Sequence, residues 1–320
     1  MHVLVTGAYG IVGRSAVREL ETQGHEVRIF DLYSKKNKHL AGRMRFKAQH
    51  AWGDITNLEQ VRAAVRGMDA VVHLAAIIPP LADKKPELAR SVNVEGTVNV
   101  IHAMQELCPD SRLIFSSSIA IYGDRLAAPF IKIDDPLIPN EDDHYAHHKI
   151  ECERLIRSSR LSWTIMRLSY IVSAEKLKMD PIMFDVPLAT SLEICDTTDA
   201  GLAIANALAV PESIGETLHI AGGERCRTTY RNYLAAMLDI FGLGHKHMPE
   251  NAFRHNGFHC GFMDTQRSQS LLRFQRKTLM DYFSEVSKKT RFRKFFLGII
   301  RYFAQKFLYT RSPYPAANRA

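Results

Sequence analysis

Cysteine is sparse and scattered in this chain. Its 320 residues hold five, Cys108, Cys152, Cys195, Cys226 and Cys260, with no C-x-x-C pair. An odd count at wide spacing argues against a disulfide framework and a cysteine-based zinc site, so no metal is expected and the cytoplasm is the default compartment. Met1 leads directly into the apolar run VLV, without the basic segment and long apolar stretch of a signal peptide. No stretch reaches the roughly 18 apolar residues a spanning helix needs. Repeats and low-complexity segments are lacking. Acidic residues are missing from Lys288 to Ala320, where nine cations fall. Subtracting those nine from the formal +8 leaves the remainder near neutral, which gives no general signal for nucleic acid. The chain is 46% hydrophobic and 24% charged, long enough for one or two ordinary domains with a large core.

Strand and helix patterns alternate over the first 170 residues. HVLVT reads as a strand, IVGRSAVRELETQ as a helix ended by Gly24, and EVRIF as a strand closing on Asp31. A third strand is expected in RMRFKAQ, a helix in NLEQVRAAVR, and a buried strand in DAVVHLAA. A helix from about Pro86 to Leu107, a strand in RLIFSSS, a helix carrying Tyr145 and a strand in LSWTIMRL complete the series. Such alternation predicts a parallel sheet with helices on both faces. Residues 169–192 and 242–269 read as irregular. Between them, TDAGLAIANAL and RTTYRNYLAAMLDIF read as helices and ETLHIAG as a strand.

The first strand runs into GAYGIVG, with Gly7, Gly10 and Gly13 at three-residue intervals. One glycine makes the tight turn, one lets backbone N–H groups approach a pyrophosphate, and one lets helix and strand pack closely. The helix beginning at Ile11 points its N-terminus at the anion. Asp31 follows 18 residues after Gly13, where a carboxylate can accept hydrogen bonds from the adenosine ribose and repel a 2′-phosphate. NAD is therefore expected over NADP, although Lys35 and Lys36 keep NADP open.

The stretch DDHYAHHKIE places Tyr145 four residues before Lys149, on one helical face. Alone, such a pair is either an acid/base or two long surface side chains. The motifs GAYGIVG, Asp31, GDI at 53–55, HLAA at 73–76, Asn93 in NVEGT, FSSSIAIYG at 115–123 and YAHHK at 145–149 occur in order. Over roughly residues 1–240 the chain resembles an extended short-chain dehydrogenase/reductase of the NAD-dependent epimerase/dehydratase family. The resemblance implies a catalytic set of Ser118, Tyr145 and Lys149, with Tyr145 as general acid/base and Ser118 holding the substrate oxygen. Lys149 would bond the nicotinamide ribose and favour the phenolate, lowering the Tyr145 pKa. It also implies a cofactor site of Gly7, Tyr9, Gly10, Ile11, Val12, Gly13, Asp31, Asp54, Ile55, Leu74, Ala75, Ala76, Asn93 and Ser116, together with Tyr145 and Lys149.

The implied fold is α/β, a Rossmann-type doubly wound parallel sheet with a small C-terminal substrate-binding region and a basic amphipathic C-terminal helix. Residues 1–168 would form the NAD-binding domain, with 193–223 returning to it; 169–192 and 224–285 would bind substrate, and 286–320 form the tail. The implied activity is hydride transfer on a secondary alcohol or ketone. A nucleotide-sugar epimerase using the same three residues and a non-catalytic NAD-binding module are the alternatives.

Two departures narrow the substrate. Nucleotide-sugar dehydratases in the family resemble S-T-D-E-V-Y-G at the serine strand; here Ile119 and Ala120 stand in place of the carboxylates and cannot move a proton. Only 28 residues lie between Arg167 and Asp196, and ATSLEIC before Asp196 holds no cation to grip a diphosphate. If 77–80 and 179–184 form loops over the cleft, Ile77, Ile78, Pro79, Pro80, Met179, Ile182, Met183 and Phe184 would wall it, favouring a less charged carbonyl or alcohol. They read equally well as plain core.

His147 and His148 read as surface residues, with His144 beside the tyrosine. His245, His247, His255, His259 and Cys260 form a loose cluster whose H-x-H…H-x-x-x-H spacing could bind zinc, but no Asp or Glu support is obvious and the chemistry needs no metal, so none is expected. In the tail, Phe292, Phe295, Phe296, Ile299, Ile300, Phe303 and Phe307 fall on one helical stripe flanked by Arg291, Arg293, Lys294 and Arg301. A basic amphipathic helix over 288–308 is expected, lying on the inner face of a membrane, on the enzyme body or on a second subunit of a homodimer.

Overall fold

The computed structural model describes residues 1–320 except 176, 178–180, 246–247, 300 and 315–320, and excludes the side chains of 181 and 292–302. Seven strands form the main sheet: β1 (His2–Thr6), β2 (Glu26–Asp31), β3 (Gln49–Trp52), β4 (Ala70–His73), β5 (Arg112–Ser118), β6 (Ser162–Leu168) and β7 (Thr217–Ile220). All are parallel, in the order β3-β2-β1-β4-β5-β6-β7. Every residue of β4 is buried, because helices cover both faces. On one face Ile11–Thr22 packs on Thr197–Ala209, with Gly201 against the Ser15 backbone. On the other lie Leu58–Val65, Gly96–Leu107 and His144–Ser158. The strand order reverses beside β1, which opens a crevice at the carboxyl ends of β1 and β4.

A separate apolar cluster holds the C-terminal lobe together, joining Val172, Phe184, Leu192, helix Tyr230–Ile240, Phe253, Tyr282, Val286, Leu308 and Tyr309. A three-stranded sheet of Tyr170–Val172, Ser191–Asp196 and Arg227–Thr229 borders it. Buried Glu193 clamps this region, accepting from Gly223 N (2.9 Å), Met263 N (3.0 Å) and Arg227 Nε (3.0 Å).

The structure departs from the sequence reading in several places. RMRFKAQ is not a strand. Lys35–Met44 is a helix capped by Ser34, Arg45 ends it in a left-handed conformation (φ 50°), and β3 begins at Gln49. Alternating cations there mimic a period of two. The segment 169–192 contains the strand Tyr170–Val172, and 242–269 contains Phe262–Met263 and the start of a helix at Gln266. The tail is two helices, Leu279–Ile299 and Arg301–Tyr309. The first starts earlier than expected because Thr278 Oγ1 accepts from Asp281 N while Asp281 Oδ2 accepts from Thr278 N, a reciprocal cap. Tyr282, Val286 and Thr290 form its buried face. In the second, Leu308 and Tyr309 are buried and Gln305 Nε2 donates to Leu243 O (2.7 Å) and Gly244 O (2.9 Å). This face is not the expected stripe: Phe303 and Phe307 are 73% and 67% exposed. The side chains of Phe292, Phe295, Phe296, Ile299 and Ile300 lie outside the described residues. Among the described residues, no helix is long and apolar enough to cross a membrane.

Candidate active site

The glycine loop leaves β1 with Gly7 at φ 66°, where a Cβ would meet the Ala75 nitrogen at 2.7 Å. A Cβ on Gly13 would meet the Gly7 carbonyl oxygen at 2.4 Å. Only glycine permits this turn and this close a helix. Gly10 has extended backbone before the helix, whose first turn carries Ile11 and Val12. Asp31, at the end of β2, accepts from Tyr9 N (3.0 Å), Leu32 N (2.8 Å) and Asn37 Nδ2 (3.2 Å). The Tyr9 ring stacks on Trp52, and its hydroxyl meets His50 Nδ1 at 2.8 Å. Asp54 turns onto Thr56, and Ile55 is buried under Gly96. Narrow backbone approach, a helix N-terminus and a fixed carboxylate 22 positions beyond Tyr9 fit a dinucleotide.

A buried relay that sequence reasoning missed fixes the neighbouring strand end. Thr97 Oγ1 donates to Asn93 O (2.6 Å), so it accepts from His73 Nε2–H (3.0 Å); His73 Nδ1 then accepts from Thr6 Oγ1 (2.7 Å). Thr6 Oγ1 in turn accepts from the Leu74 and Ala75 amides, both at 3.2 Å. Burial drives the His73 pKa down to about 3, with Lys149 adding to it, so the ring stays neutral. Asn93 holds the next turn, accepting from Ile77 N (2.7 Å) and donating to Ile77 O (2.9 Å), past the half-buried Ala76. His148 is buried, 3.5 Å from Asn93, and not the surface residue its spacing suggested; His144 and His147 are exposed. Its helical turn faces the π-helical segment Ser91–Glu95, which brings Asn93 to it.

Ser118 ends β5, and Tyr145 and Lys149 lie on His144–Ser158. The structure brings all three together. Tyr145 hydrogen-bonds Ser118, and Lys149 Nζ donates to Ser116 O at 2.6 Å while lying 5.6 Å from the Tyr145 ring centroid. The Ser116 hydroxyl donates to His73 O (3.3 Å). Burial lowers the Lys149 pKa to about 8. Burial also raises the Tyr145 pKa well above its ordinary value, opposed by the Ser118 bond. The expected lowering of Tyr145 is thus reversed here, because desolvation dominates and the ammonium is spent on the Ser116 carbonyl. Burial thus favours the protonated form of Tyr145.

Asp143 caps this helix, accepting from Ala146 N (2.9 Å), and pairs with His259 Nδ1 at 3.0 Å. Burial opposes the carboxylate, but the His259 and Ala146 bonds outweigh it and hold its pKa low. A capping aspartate two residues before the tyrosine was a signal the sequence offered. His245 pairs with Asp239 (2.7 Å), and His247 lies outside the described residues. His259 stacks on Phe258, which lines a cavity of about 420 Å³. Ile11, Ile78, Pro79, Pro80, Ile182 and Met183 line it too. Phe184, expected there, is core, packed on Phe253 and Tyr309; Met179 lies outside the described residues.

The family model described as NAD dependent epimerase/dehydratase family matches residues 3–184. The chain belongs to the NAD-dependent epimerase/dehydratase family. Among the relatives of this family member is a 3-beta-hydroxysteroid dehydrogenase of Mycolicibacterium neoaurum, 34% identical over 162 residues, 48% of this chain and 42% of the relative. A UDP-glucose 4-epimerase of Lactobacillus helveticus is 32% identical over 182 residues, 54% and 53% of the two chains. The chain spans about half the length of the curated relatives it matches. A UDP-glucuronic acid 4-epimerase of Bacillus cereus, solved with UDP-glucuronic acid and NAD, superposes with a TM-score of 0.75 at 19% identity, covering 91% of this chain and 99% of that one. This likeness shows the fold.

Proposed function

We propose that this family member is an NAD-dependent oxidoreductase that interconverts an uncharged, apolar secondary alcohol and its ketone. One observation carries the reading: the Ser118–Tyr145–Lys149 set is assembled at the sheet edge, and the 420 Å³ cavity bordered by Ile11 of the glycine-loop helix and by Ile78, Pro79 and Pro80 has no charged side chain among its described lining residues. The glycine loop, Asp31, Ile55 and Ala75 would hold NAD, and Lys149 its nicotinamide ribose; bound NAD supplies the hydride donor or acceptor. In reduction, Ser118 holds the carbonyl oxygen and Tyr145 gives it a proton, which solvent restores to the phenolate. Oxidation runs the same path backwards. Protonated Tyr145 suits the reductive direction at neutral pH.

The similarity to a hydroxysteroid dehydrogenase supports an apolar substrate. The similarity to epimerases supports the second reading, sugar epimerisation with the same three residues. A third reading, a non-catalytic NAD sensor, has the complete catalytic set against it. Stoichiometry separates the first two. With a panel of apolar ketones and nucleotide sugars, the leading reading expects NADH absorbance to fall by one equivalent per ketone reduced. Interconversion of a sugar nucleotide without net NADH change would replace it with the epimerase reading.

The enzyme is proposed to be cytoplasmic and to touch the anionic inner face of a membrane through its tail, where exposed Phe303 and Phe307 flank exposed Lys306 in a segment without acids. A homodimer is the other occupant this surface would take. Because the opposite face is core, a chain ending near Ser287 is expected to lose stability. The clean test is the double variant Phe303→Ser/Phe307→Ser, which should keep its Tm and lose salt-sensitive binding to anionic vesicles; a concentration-dependent change of mass instead would mark a dimer face.

A further inference from the structure

The cavity is apolar, yet four tyrosines line it: Tyr170, Tyr230, Tyr233 and Tyr282. They come from three elements, the strand Tyr170–Val172 and the helices Tyr230–Ile240 and Leu279–Ile299. The Tyr230 hydroxyl is committed, donating to Met183 O at 2.8 Å. The Tyr233 and Tyr282 hydroxyls lie 3.3 Å apart. Only one of that pair can donate to the other, so one proton stays available, as do acceptor lone pairs. The Tyr170 ring meets Tyr233 edge-on at 6.0 Å. The Tyr170 side chain is half-buried on the cavity wall, and no described residue hydrogen-bonds its hydroxyl. A hydroxyl that faces a cavity with no protein partner is open to a ligand, as donor and as acceptor.

We infer that Tyr170, Tyr233 and Tyr282 form a subsite for a second, uncharged oxygen of the substrate, separate from the oxygen held by Ser118 and Tyr145. This inference rests on the reading that the cavity takes the substrate. Burial pushes all three pKa values up, so the hydroxyls stay neutral. Neutral hydroxyls in apolar walls suit a hydroxyl or carbonyl. They do not suit a carboxylate or phosphate, for which the described lining offers no cation. The substrate class is thus a bulky hydrocarbon framework with two oxygen functions, one reacting and one recognised. A site that bonds a substrate hydroxyl rejects the analogue lacking it, because its own groups are then left unpaired.

The test uses NAD-loaded protein and two steroid probes, androstan-3-one and its 17-hydroxy derivative, with binding followed by calorimetry. The wild type should bind the hydroxylated probe at least tenfold more tightly. Tyr170→Phe, which keeps the ring, should bring the two probes to near parity by weakening the hydroxylated one; Tyr282→Phe should move the same way. Equal binding by the wild type, equal losses for both probes in Tyr170→Phe, or binding of neither probe would overturn the subsite. Turnover of the probes is scored separately. Discrimination without NADH-dependent turnover would keep the subsite and defeat the oxidoreductase reading; turnover without discrimination would do the reverse.

Discussion

The sheet edge and the C-terminal lobe meet at one cleft but are built by different physics. At the sheet edge, functional atoms are placed by backbone geometry and short polar relays: Gly7 and Gly13 admit no Cβ, and Thr6, His73 and Thr97 pass one hydrogen-bond chain between two strands and a helix. In the lobe, the cavity wall comes from rings packed out of three distant segments, with few polar contacts. The first arrangement tolerates almost no change and suits the dinucleotide proposed to bind there. The second is set mainly by packing, which leaves room for substrate preference to vary.

The comparison breaks most sharply at Tyr145. Tyr145→Phe should lower kcat by about 10²–10⁴-fold while leaving NAD affinity unchanged; retained activity would show that the polar edge is not catalytic. Lys149→Met should also abolish turnover, yet raise Tm. The buried ammonium has its pKa lowered from 10.5 to about 8. Below about pH 8 the folded protein bears its full cost. Between 8 and 10.5 the folded state has shed the proton that the unfolded chain still binds, so stability rises with pH through this window. The gain of Lys149→Met should therefore be largest below pH 8, in denaturant melts, and shrink above it. A variant less stable at pH 7 would mean that the Ser116 bond outweighs desolvation.

Smaller effects probe each side and the joint between them. Asp31→Ala should relax the preference for NAD(H) over NADP(H) by about tenfold, since it removes an acceptor for the ribose and a repulsive charge; equal affinity of the native protein for both would refute the assignment. His259→Gln tests the strap that ties the cavity residue Phe258 to the Asp143 cap. It should raise KM several-fold with kcat nearly unchanged, and Gln should rescue more than Ala does.

The edge was legible in the sequence because its chemistry needs rigid local spacing: the glycine triplet, the carboxylate ending β2, and Tyr145 one turn before Lys149. Its supports were less so. Thr6, His73 and Thr97 are ordinary residues until the fold joins them, and His148 looked exposed because the π-helical segment that covers it has no simple sequence signature. The lobe was largely illegible. Tyr233 and Tyr282 sit in helical patterns that read as core or tail, and Tyr170 in a stretch that read as irregular. Packing between segments more than 40 residues apart leaves no local period to detect. The tail misled for a related reason: its aromatic stripe is clear, but Gln305, Leu308 and Tyr309 make the buried face.

The central claim is that Tyr145 and a bound nicotinamide serve a free, apolar ketone in the cavity. The most direct measurement supplies NADH deuterated at the transferred position with such a ketone and follows the label by mass spectrometry. The account predicts one deuterium on the carbinol carbon of the product for each NADH consumed, and none with Tyr145→Phe. Apolar ketones left unlabelled, while a nucleotide sugar is inverted with no NADH consumed, would contradict it.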